Sequence, residues 1–221
     1  LRGAGMGFIG QMSRDILLEN ISVHTVPGRG EPYSITADIF HFVNCDGALV
    51  IRRCDVSDSL DDAVNVHGVY TRVQTAGEDK LMLMLGHQEQ YGLNPYRRGD
   101  RVRVTKGDGS GERGRFTVTE CMLCSDEKTL AMGYESAGCI IEPGEYIDNP
   151  DRAPELLIED CRFERCPRVL LGSNRKTIVR RNHFALNGAV TVIDGMAYWY
   201  EAGLATDVRI EDNVFDRSGL K

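Results

Sequence analysis

The sequence has no long apolar run, no tract rich in lysine or arginine, and only one tryptophan. Its apolar runs are a few residues long, such as Ile16 to Leu18, whereas a membrane helix needs about 20 apolar residues. The 26 lysines and arginines against 33 aspartates and glutamates leave a net charge of −7. Nucleic acids and anionic membranes attract basic patches, so this balance disfavours both as partners. The sequence therefore predicts no nucleic-acid partner, no membrane insertion, and a neutral or small polar ligand.

The chain begins at Leu1, and no basic stretch followed by an apolar run marks a signal peptide near it. We therefore expect it to start inside a longer polypeptide. The seven cysteines are an odd number and lack the dense spacing of a disulfide scaffold. Cys121 and Cys124 have the C-x-x-C spacing of a zinc half-site or a redox pair, but no second half-site matches them. Most of the cysteines are therefore interpreted as buried thiols.

One eight-residue pattern occurs five times, and self-similarity of this kind determines whole architectures. Each copy has a short apolar strand, two charged or polar residues, then Asn, Cys or Ile, and an apolar residue two positions further on. The copies span 16–23, 49–56, 156–163, 177–184 and 208–215. The shortest interval, from Ile158 to Val179, is 21 residues. It suits one coil of a parallel β-helix, in which each coil stacks its strands on the coil before.

A column of equivalent residues is expected to face inward at one corner of the coils. It comprises Asn20, Cys54, Cys161, Asn182 and Asn213. Asparagine can bond backbone groups of its neighbours there, and cysteine packs as a small hydrophobe. A β-sandwich does not predict one pattern at this interval, and the units lack the 3.6-residue periodicity of helical solenoids. The sequence thus predicts an all-β chain built on a parallel β-helix.

The interval from Ile51 to Ile158 is much longer than one coil. Its excess, from Tyr70 to Pro150, contains strand-like segments separated by glycine-rich turns, without the repeat pattern. These segments lie at 80–85, 100–104, 115–119 and 129–132. Short strands at near-regular spacing are typical of a small antiparallel barrel. The predicted domains are β-helix coils in 1–69, an inserted β-barrel in 70–150, and further coils of the same β-helix in 151–221.

Acidic residues are concentrated after the second repeat, in the sequence C-D-V-S-D-S-L-D-D-A-V-N-V-H-G. Taken alone, this cluster also suits a solvated turn. Asp38 precedes Asp62 by 24 residues, close to one coil, so the two should stack about 5 Å apart with Asp61 beside them. Three carboxylates on one face suit inverting glycoside hydrolysis, because neighbouring negative charges keep one of them protonated as the acid. The rival use is a Ca²⁺ site, which needs six to eight oxygens.

Several motifs, taken in order along the chain, resemble one known family. They are A-D-I-F-H-F at 37–42, S-L-D-D-A-V-N-V-H-G at 59–68, the barrel-like insertion, Y-W-Y-E-A-G at 198–203 and V-R-I-E-D-N-V-F at 208–215. From about residue 6 to residue 215 the chain resembles glycoside hydrolase family 110, the bacterial exo-acting α-1,3-galactosidases that remove terminal galactose. The resemblance implies a right-handed parallel β-helix, an inverting mechanism without a metal or other cofactor, and a secreted or periplasmic location.

By position, the resemblance also implies that Asp38, Asp61 and Asp62 are the catalytic residues. Asp61 is then the general acid, and the other two share the base role around a water. The implied partner is a galactose-terminated oligosaccharide or glycan, and the sequence leaves open whether the chain forms a homo-oligomer. Members of the family are much longer than this chain.

Five further residues are candidates for substrate binding, namely Asn65, His67, Arg168, Trp199 and Glu201. Asn65 and His67 alternate with valines and should share the face opposite them, although His67 equally suits the close of a turn before a glycine. The Trp199 ring suits stacking on the apolar face of galactose or simple loop packing. Arg168 suits the cleft or a surface salt bridge, and Glu201 suits a sugar hydroxyl or solvent.

Two rival functions remain open at this point. Polygalacturonases share the expected fold and a similar order of carboxylates, but their uronic-acid substrate requires several basic residues in the cleft. A non-catalytic β-helix that binds carbohydrate or serves as a structural module would carry the same repeats without turnover.

Overall fold

The structure is a computed structural model that describes residues 4–136 and 138–219. This part of the chain is all-β, with two single-turn 3₁₀ helices at Gln88–Gln90 and Ala197–Trp199. Fifteen strands form three parallel sheets of five, six strands form a closed antiparallel barrel, and one further strand pairs antiparallel with a strand of the first sheet. Within these residues, no helix has the length and apolar character needed to cross a membrane.

Each of the three parallel sheets contains five strands, which pair in chain order. The first contains β1 (Phe8–Gln11), β4 (Phe40–Val43), β7 (Val64–Val69), β16 (Arg168–Leu171) and β19 (Ala189–Val192). The second contains β2 (Arg14–Glu19), β5 (Asp46–Arg52), β14 (Glu155–Glu159), β17 (Thr177–Arg180) and β21 (Val208–Glu211). The third contains β3 (Ser22–Val23), β6 (Asp55–Ser57), β15 (Arg162–Glu164), β18 (His183–Ala185) and β22 (Val214–Asp216).

The chain visits the first, second and third sheets in turn, and it does so five times. The five copies of the repeat are the five strand pairs of the second and third sheets. Ile51 is the register partner of Leu18 on one side and of Ile158 on the other, and Val179 in turn joins Ile158 to Ile210. The alignment of the repeats predicted from the sequence is therefore confirmed residue by residue.

The inward-facing apolar side chains of all three sheets form one hydrophobic core. Its largest fully buried members include Phe40, Phe163 and Phe184. The rings of Phe163 and Phe184 stack nearly parallel, with centroids 5.2 Å apart, because their strands are adjacent and in register. Phe40 and Phe42 of β4 also belong to this core, with exposures of 0% and 2%.

The inward-facing column is confirmed at four of its five predicted positions. Asn182 Oδ1 accepts the Cys161 N–H at 2.9 Å, and Asn213 Oδ1 accepts the Asn182 N–H at 2.9 Å. The Cys54 N–H points to the sulfur of Cys161 at 3.4 Å. The side chains of Cys161, Asn182 and Asn213 therefore each satisfy a backbone donor of the neighbouring pass, as buried polar groups require.

The fifth position was wrong, because Asn20 does not belong to this column. Glu19 pairs with Arg52, so Asn20 lies opposite Arg53, and Ile21 occupies the position of Cys54. Asn20 is exposed, has a φ of 56° and accepts a hydrogen bond from Arg53 Nε. It forms the corner between the second and third sheets, where the left-handed backbone favours a short polar side chain. The equivalent corners also have positive φ, at Arg53, Asp160, Arg181 and Asp212.

The barrel lies in the chain between β7 and β14. Its strands are β8 (Thr71–Ala76), β9 (Lys80–Leu85), β10 (Arg101–Thr105), β11 (Glu112–Leu123), β12 (Thr129–Ser136) and β13 (Tyr146–Asp148). They close in the order β10-β11-β12-β9-β8-β13, and every pairing is antiparallel. The predicted small antiparallel barrel is confirmed, although the sequence reading missed β8 and β13. These two strands pair through Thr71 and Ile147, so the ends of the barrel segment are neighbours.

The chain divides into two compact units. The first comprises Leu1–His67, Ala153–Asp194 and Gly203–Lys221 and contains the three parallel sheets. The second comprises Gly68–Arg152 and Gly195–Ala202 and contains the barrel and β20 (Glu201–Ala202). β20 pairs with Gly68 and Val69. Residues 195–202 thus group with the barrel, whereas the predicted boundaries placed them in the segment 151–221.

Candidate functional site

The three aspartates predicted to be catalytic lie together in the first unit. Asp38 and Asp62 each stand two residues before a strand of the first sheet, and Phe40 pairs with Val64 in register. The two aspartates are therefore neighbours on adjacent strands, and the Ile39 N–H donates to the Asp62 carbonyl at 2.9 Å. One side-chain oxygen from each of Asp38, Asp61 and Asp62 lies within 4.8 Å of the other two.

A single backbone group holds two of these carboxylates in place. The Asp62 N–H points to Asp38 Oδ1 at 3.1 Å and to Asp61 Oδ1 at 3.0 Å. The Ser59 hydroxyl donates to the Asp61 carbonyl at 2.6 Å and closes the turn before β7. The local sequence S-L-D-D therefore folds so that both aspartates face the neighbouring Asp38.

The three carboxyl groups have different environments. Asp38 and Asp62 are buried, with 4% and 1% exposure, whereas Asp61 is exposed. Burial raises the pKa of Asp62 to about 7, and the charges of Asp38 and Asp61 act in the same direction against the opposing Arg168. Partial desolvation and the charge of Asp38 raise the pKa of Asp61 as well. The cluster therefore supplies one accessible carboxyl group and one buried carboxyl group that bind protons more tightly than usual.

Arg168 begins β16 and bonds to the cluster from the other side. Its Nε donates to Asp62 Oδ1 at 2.6 Å. The second oxygen, Asp62 Oδ2, is buried and has no hydrogen-bond partner among the described residues. An orphaned buried oxygen is costly, so a proton or a polar group of a ligand at this atom would be stabilising.

His41 extends the cluster and was missed as a site residue by the sequence analysis. Its Nδ1 lies 2.5 Å from Asp38 Oδ2, and its Nε2 lies 3.2 Å from Nε2 of His67. The two imidazole rings meet edge to face, with centroids 5.0 Å apart. A signal was present in A-D-I-F-H-F, because a histidine between two core phenylalanines must point to the opposite face of the strand.

Asn65 and His67 occupy the face of β7 opposite the core. Val64 and Val66 belong to the hydrophobic core, and Asn65 and His67 alternate with them, as the sequence predicts. His41 is the register partner of Asn65 on the adjacent strand. The structure therefore brings Asn65, His67 and Arg168 to the same region of the first unit as the three aspartates.

Trp199 and Glu201, the two remaining candidates, lie in the second unit. Trp199 is half exposed, and its ring contacts those of Tyr198 and His87 with centroids 5.2 Å and 5.6 Å away. Glu201 is partly buried in β20, where it pairs with Val69. Trp199 and Tyr198 thus form an exposed aromatic pair, and the Trp199 ring contacts His87 of the same unit.

The fold and the cluster define an all-β protein with three convergent carboxyl groups in its first unit. No family model matches the chain. It is 30% identical over 217 residues to alpha-1,3-galactosidase A of Shewanella woodyi, covering 96% of this chain and 35% of that protein. It is 27% identical over 217 residues to alpha-1,3-galactosidase A of Bacteroides fragilis strain YCH46, covering 96% and 36%. With alpha-1,3-galactosidase B of Parabacteroides distasonis it shares 29% identity over 233 residues, covering 97% and 37%.

The chain thus spans about a third of the length of the curated relatives it matches. The resemblance to the bacterial α-1,3-galactosidases of glycoside hydrolase family 110 is confirmed over nearly the whole chain.

Proposed function

We propose that this chain carries the active site of an exo-acting α-1,3-galactosidase, which hydrolyses terminal α-1,3-linked galactose from an oligosaccharide or glycan. The observation that carries the proposal is the convergence of Asp38, Asp61 and Asp62 within 4.8 Å, in a chain related to proteins named alpha-1,3-galactosidase. Carboxyl groups that differ in burial and protonation are what acid and base catalysis of glycoside cleavage requires.

We further propose that the three parallel sheets are the sides of a right-handed parallel β-helix. The repeated visit to the three sheets in a fixed order supports this architecture, because each pass adds one strand to each side. The domain plan of coils in 1–69 and 151–221 around a barrel in 70–150 belongs to the same proposal.

In the proposed mechanism, Asp61 protonates the leaving oxygen, and Asp38 and Asp62 activate a water on the other side of the sugar. The exposure of Asp61 and its raised pKa support the acid role, because the acid must reach the substrate while protonated. The raised pKa of Asp62 means that its base role strengthens as the pH rises through about 7. Arg168 lowers the pKa of Asp62 and so favours the ionised base.

The stereochemical proposal is inversion, which releases β-galactose first. Inverting enzymes usually hold their acid and base about 6.5–9.5 Å apart, and retaining enzymes about 5–5.5 Å. The nearest oxygens of the three aspartates lie within 4.8 Å, which by itself resembles the shorter separation. Inversion therefore requires that the sugar and the attacking water both fit between Asp61 and the stacked pair, with the water on the side of Asp38 and Asp62, and that the reacting carboxyl oxygens are not the nearest ones.

The remaining candidates are proposed to bind the sugar. Asn65 and His67 supply polar groups on the outer face of β7, and Glu201 supplies a carboxylate for a hydroxyl. Trp199 supplies an aromatic face for the C–H groups of galactose. A secreted or periplasmic location in a bacterium is proposed from the resemblance alone.

Two observations bear on the rival functions. A uronic-acid substrate requires several cations, whereas Arg168, through Asp62, is the one arginine or lysine bonded to any of the three aspartates in the described part of the chain. A calcium ion requires six to eight oxygens, and the guanidinium of Arg168 already occupies Asp62 Oδ1. Both observations favour a neutral sugar over an anionic one or a metal ion.

The test is hydrolysis by the purified chain of p-nitrophenyl α-galactoside and of an α-1,3-linked galactobiose. We expect both to release galactose and polygalacturonate to remain intact. Cleavage of polygalacturonate would favour the uronic-acid reading. Binding of galactose without turnover would favour a carbohydrate-binding module and overturn the enzyme proposal.

A further inference from the structure

A chain of three hydrogen-bonded side chains leads away from the carboxylate cluster. It runs from Asp38 Oδ2 to His41 Nδ1 at 2.5 Å, and from His41 Nε2 to His67 Nε2 at 3.2 Å. All three side chains are buried, with exposures of 4%, 8% and 7%. Buried polar groups are expensive unless each is bonded, so this chain can exist only in particular protonation patterns.

The hydrogen bonds determine which nitrogen carries a proton. Asp38 Oδ1 accepts the Asp62 N–H, and Oδ2 faces His41, so a carboxylate at this position acts as an acceptor on both oxygens. His41 Nδ1 must then carry its hydrogen. The contact between the two Nε2 atoms has room for one proton, because two N–H groups would repel each other. In the neutral pair, therefore, His67 donates from Nε2 and His41 accepts.

The strand holds this arrangement rigid. His41 is the second residue of β4, between the core residues Phe40 and Phe42, so its ring projects from the face opposite the core. His67 lies on β7, whose pairing with β4 is in register through Phe42 and Val66. Both rings therefore take their positions from paired strands rather than from a loop.

We propose that His41 is a positioning residue for Asp38. The hydrogen bond from His67 Nε2 to His41 Nε2 favours the tautomer of His41 that carries its hydrogen on Nδ1 and donates it to Asp38. The Nδ1–H of His41 fixes the direction of one Asp38 oxygen, while the Asp62 N–H fixes the other. The orientation of the proposed base then depends on an imidazole that does not itself touch the reacting atoms, which is the reverse of the Ser-His-Asp arrangement, where a carboxylate orients an imidazole base. This inference rests on the proposed function.

The test compares two amide variants of His41 that differ in which ring nitrogen they imitate. The amide of His41→Asn reaches the position of Nδ1 and can still donate to Asp38. The amide of His41→Gln reaches the position of Nε2 and cannot. We expect kcat for p-nitrophenyl α-galactoside to fall roughly 10²-fold in His41→Gln, with KM little changed, because misplacement of a catalytic group costs on this order. His41→Asn should recover most of kcat.

The control is His24→Asn, because His24 is an exposed histidine bonded to Ser57 and beside Asp55. Its kcat should equal that of the unsubstituted chain. Melting temperatures identify any variant that fails to fold. Equal losses of kcat in His41→Asn and His41→Gln, with both folded, would overturn the positioning role.

A second readout does not depend on activity. Proton NMR should show one strongly downfield imidazole N–H resonance, present in the unsubstituted chain and in His24→Asn, and absent from His41→Gln and Asp38→Asn. The absence of this resonance from the unsubstituted chain would overturn the inference and leave the proposed function standing. Presence of the resonance in a chain without galactosidase activity would instead overturn the proposed function.

Discussion

Arg168 Nε donates to Asp62 Oδ1 at 2.6 Å, across 106 positions of sequence. The bond joins the start of β16 to the turn before β7, and it supplies a cation to the most buried carboxyl group of the cluster. Burial nevertheless raises the pKa of Asp62 to about 7. Asp62 is therefore paired with a cation and yet keeps its proton to a higher pH than an exposed aspartate does.

The first consequence concerns stability. The folded-state pKa of Asp62 is raised from 3.8 to about 7, so the folded chain binds this proton more tightly than the unfolded chain does. Stability from this group is fully present below about pH 4 and is lost as the pH rises to about 7.

Asp62→Asn removes the buried charge. At pH 8 the variant should be more stable by up to about 4 kcal/mol, at about 1.4 kcal/mol per pKa unit, and by much less at pH 4.5. Urea denaturation at the two pH values measures this, and an equal effect at both would contradict it.

Arg168→Gln should change the pH dependence of the proposed reaction. The substitution removes the cation that lowers the pKa of Asp62, so that pKa should rise above about 7. A base with a higher pKa is deprotonated only at higher pH, so the acidic limb of the profile of kcat/KM against pH should shift to higher pH. Arg168→Lys should move it less, because the positive charge remains. If the acidic limb of the pH profile lies at the same pH in Arg168→Gln as in the unsubstituted chain, Asp62 is not the group whose titration the limb reports.

Asp61→Asn should abolish most of the proposed activity. Removal of a general acid costs roughly 10²-fold or more in rate. The matched control is Asp58→Asn, since Asp58 lies three positions away, is bonded to Arg165, and is outside the group of three aspartates. Its kcat should remain within a few-fold of the unsubstituted value on the scale expected of a residue away from the reacting atoms. Similar decreases of kcat in Asp61→Asn and Asp58→Asn would show that Asp61 is not the general acid.

The anomer released first decides the stereochemistry. Inversion predicts that proton NMR of a fresh hydrolysate of α-1,3-galactobiose shows β-galactose before mutarotation. The short separation of the three aspartates makes this the most informative measurement on the site. An initial α-anomer would mean retention, and one of the stacked pair, Asp38 or Asp62, would then be a nucleophile.

Asn182→Ala should destabilise the chain through the inward-facing column. Its side chain accepts from the Cys161 N–H and donates to the Ile158 carbonyl at 3.0 Å. Each buried group left without a partner costs roughly 1–3 kcal/mol, so the free energy of unfolding should fall by a similar amount or more. The control is Asn20→Gly, because Asn20 is exposed and its positive φ suits glycine. A loss in Asn20→Gly as large as that in Asn182→Ala would contradict the placement of Asn20 at the corner.

Much of the fold is readable from the repeats, because a parallel sheet aligns equivalent residues directly. The register of Leu18, Ile51, Ile158 and Val179 follows from matching their apolar and polar neighbours. The error at Asn20 arose because corner and column positions are adjacent and both accept asparagine. Only the register of Glu19 with Arg52 separates the two.

The site was predictable to the extent that it depends on the sequence spacing between successive passes through the three sheets. The neighbouring positions of Asp38 and Asp62 follow from their separation by one pass of the chain. The bond from Arg168 to Asp62 does not follow, because the whole barrel lies between them in sequence. His41 was missed because its role depends on a side-chain contact with Asp38 and on the strand pairing that brings His67 to it.

The pairing of Thr71 with Ile147 also bears on the order of folding. These residues are 76 positions apart, yet in the closed barrel their strands are adjacent. Once the barrel has formed, its two ends are neighbours, so the chain that separates β7 from β16 acts as a much shorter loop when these two strands pair. The entropy of closing a loop grows with its length, and slow folding accompanies contacts that are distant along the chain. If the barrel closes early, the two flanking repeats are joined by a short effective loop although they are far apart in sequence. The insertion then slows folding only through the time that the barrel itself needs to form.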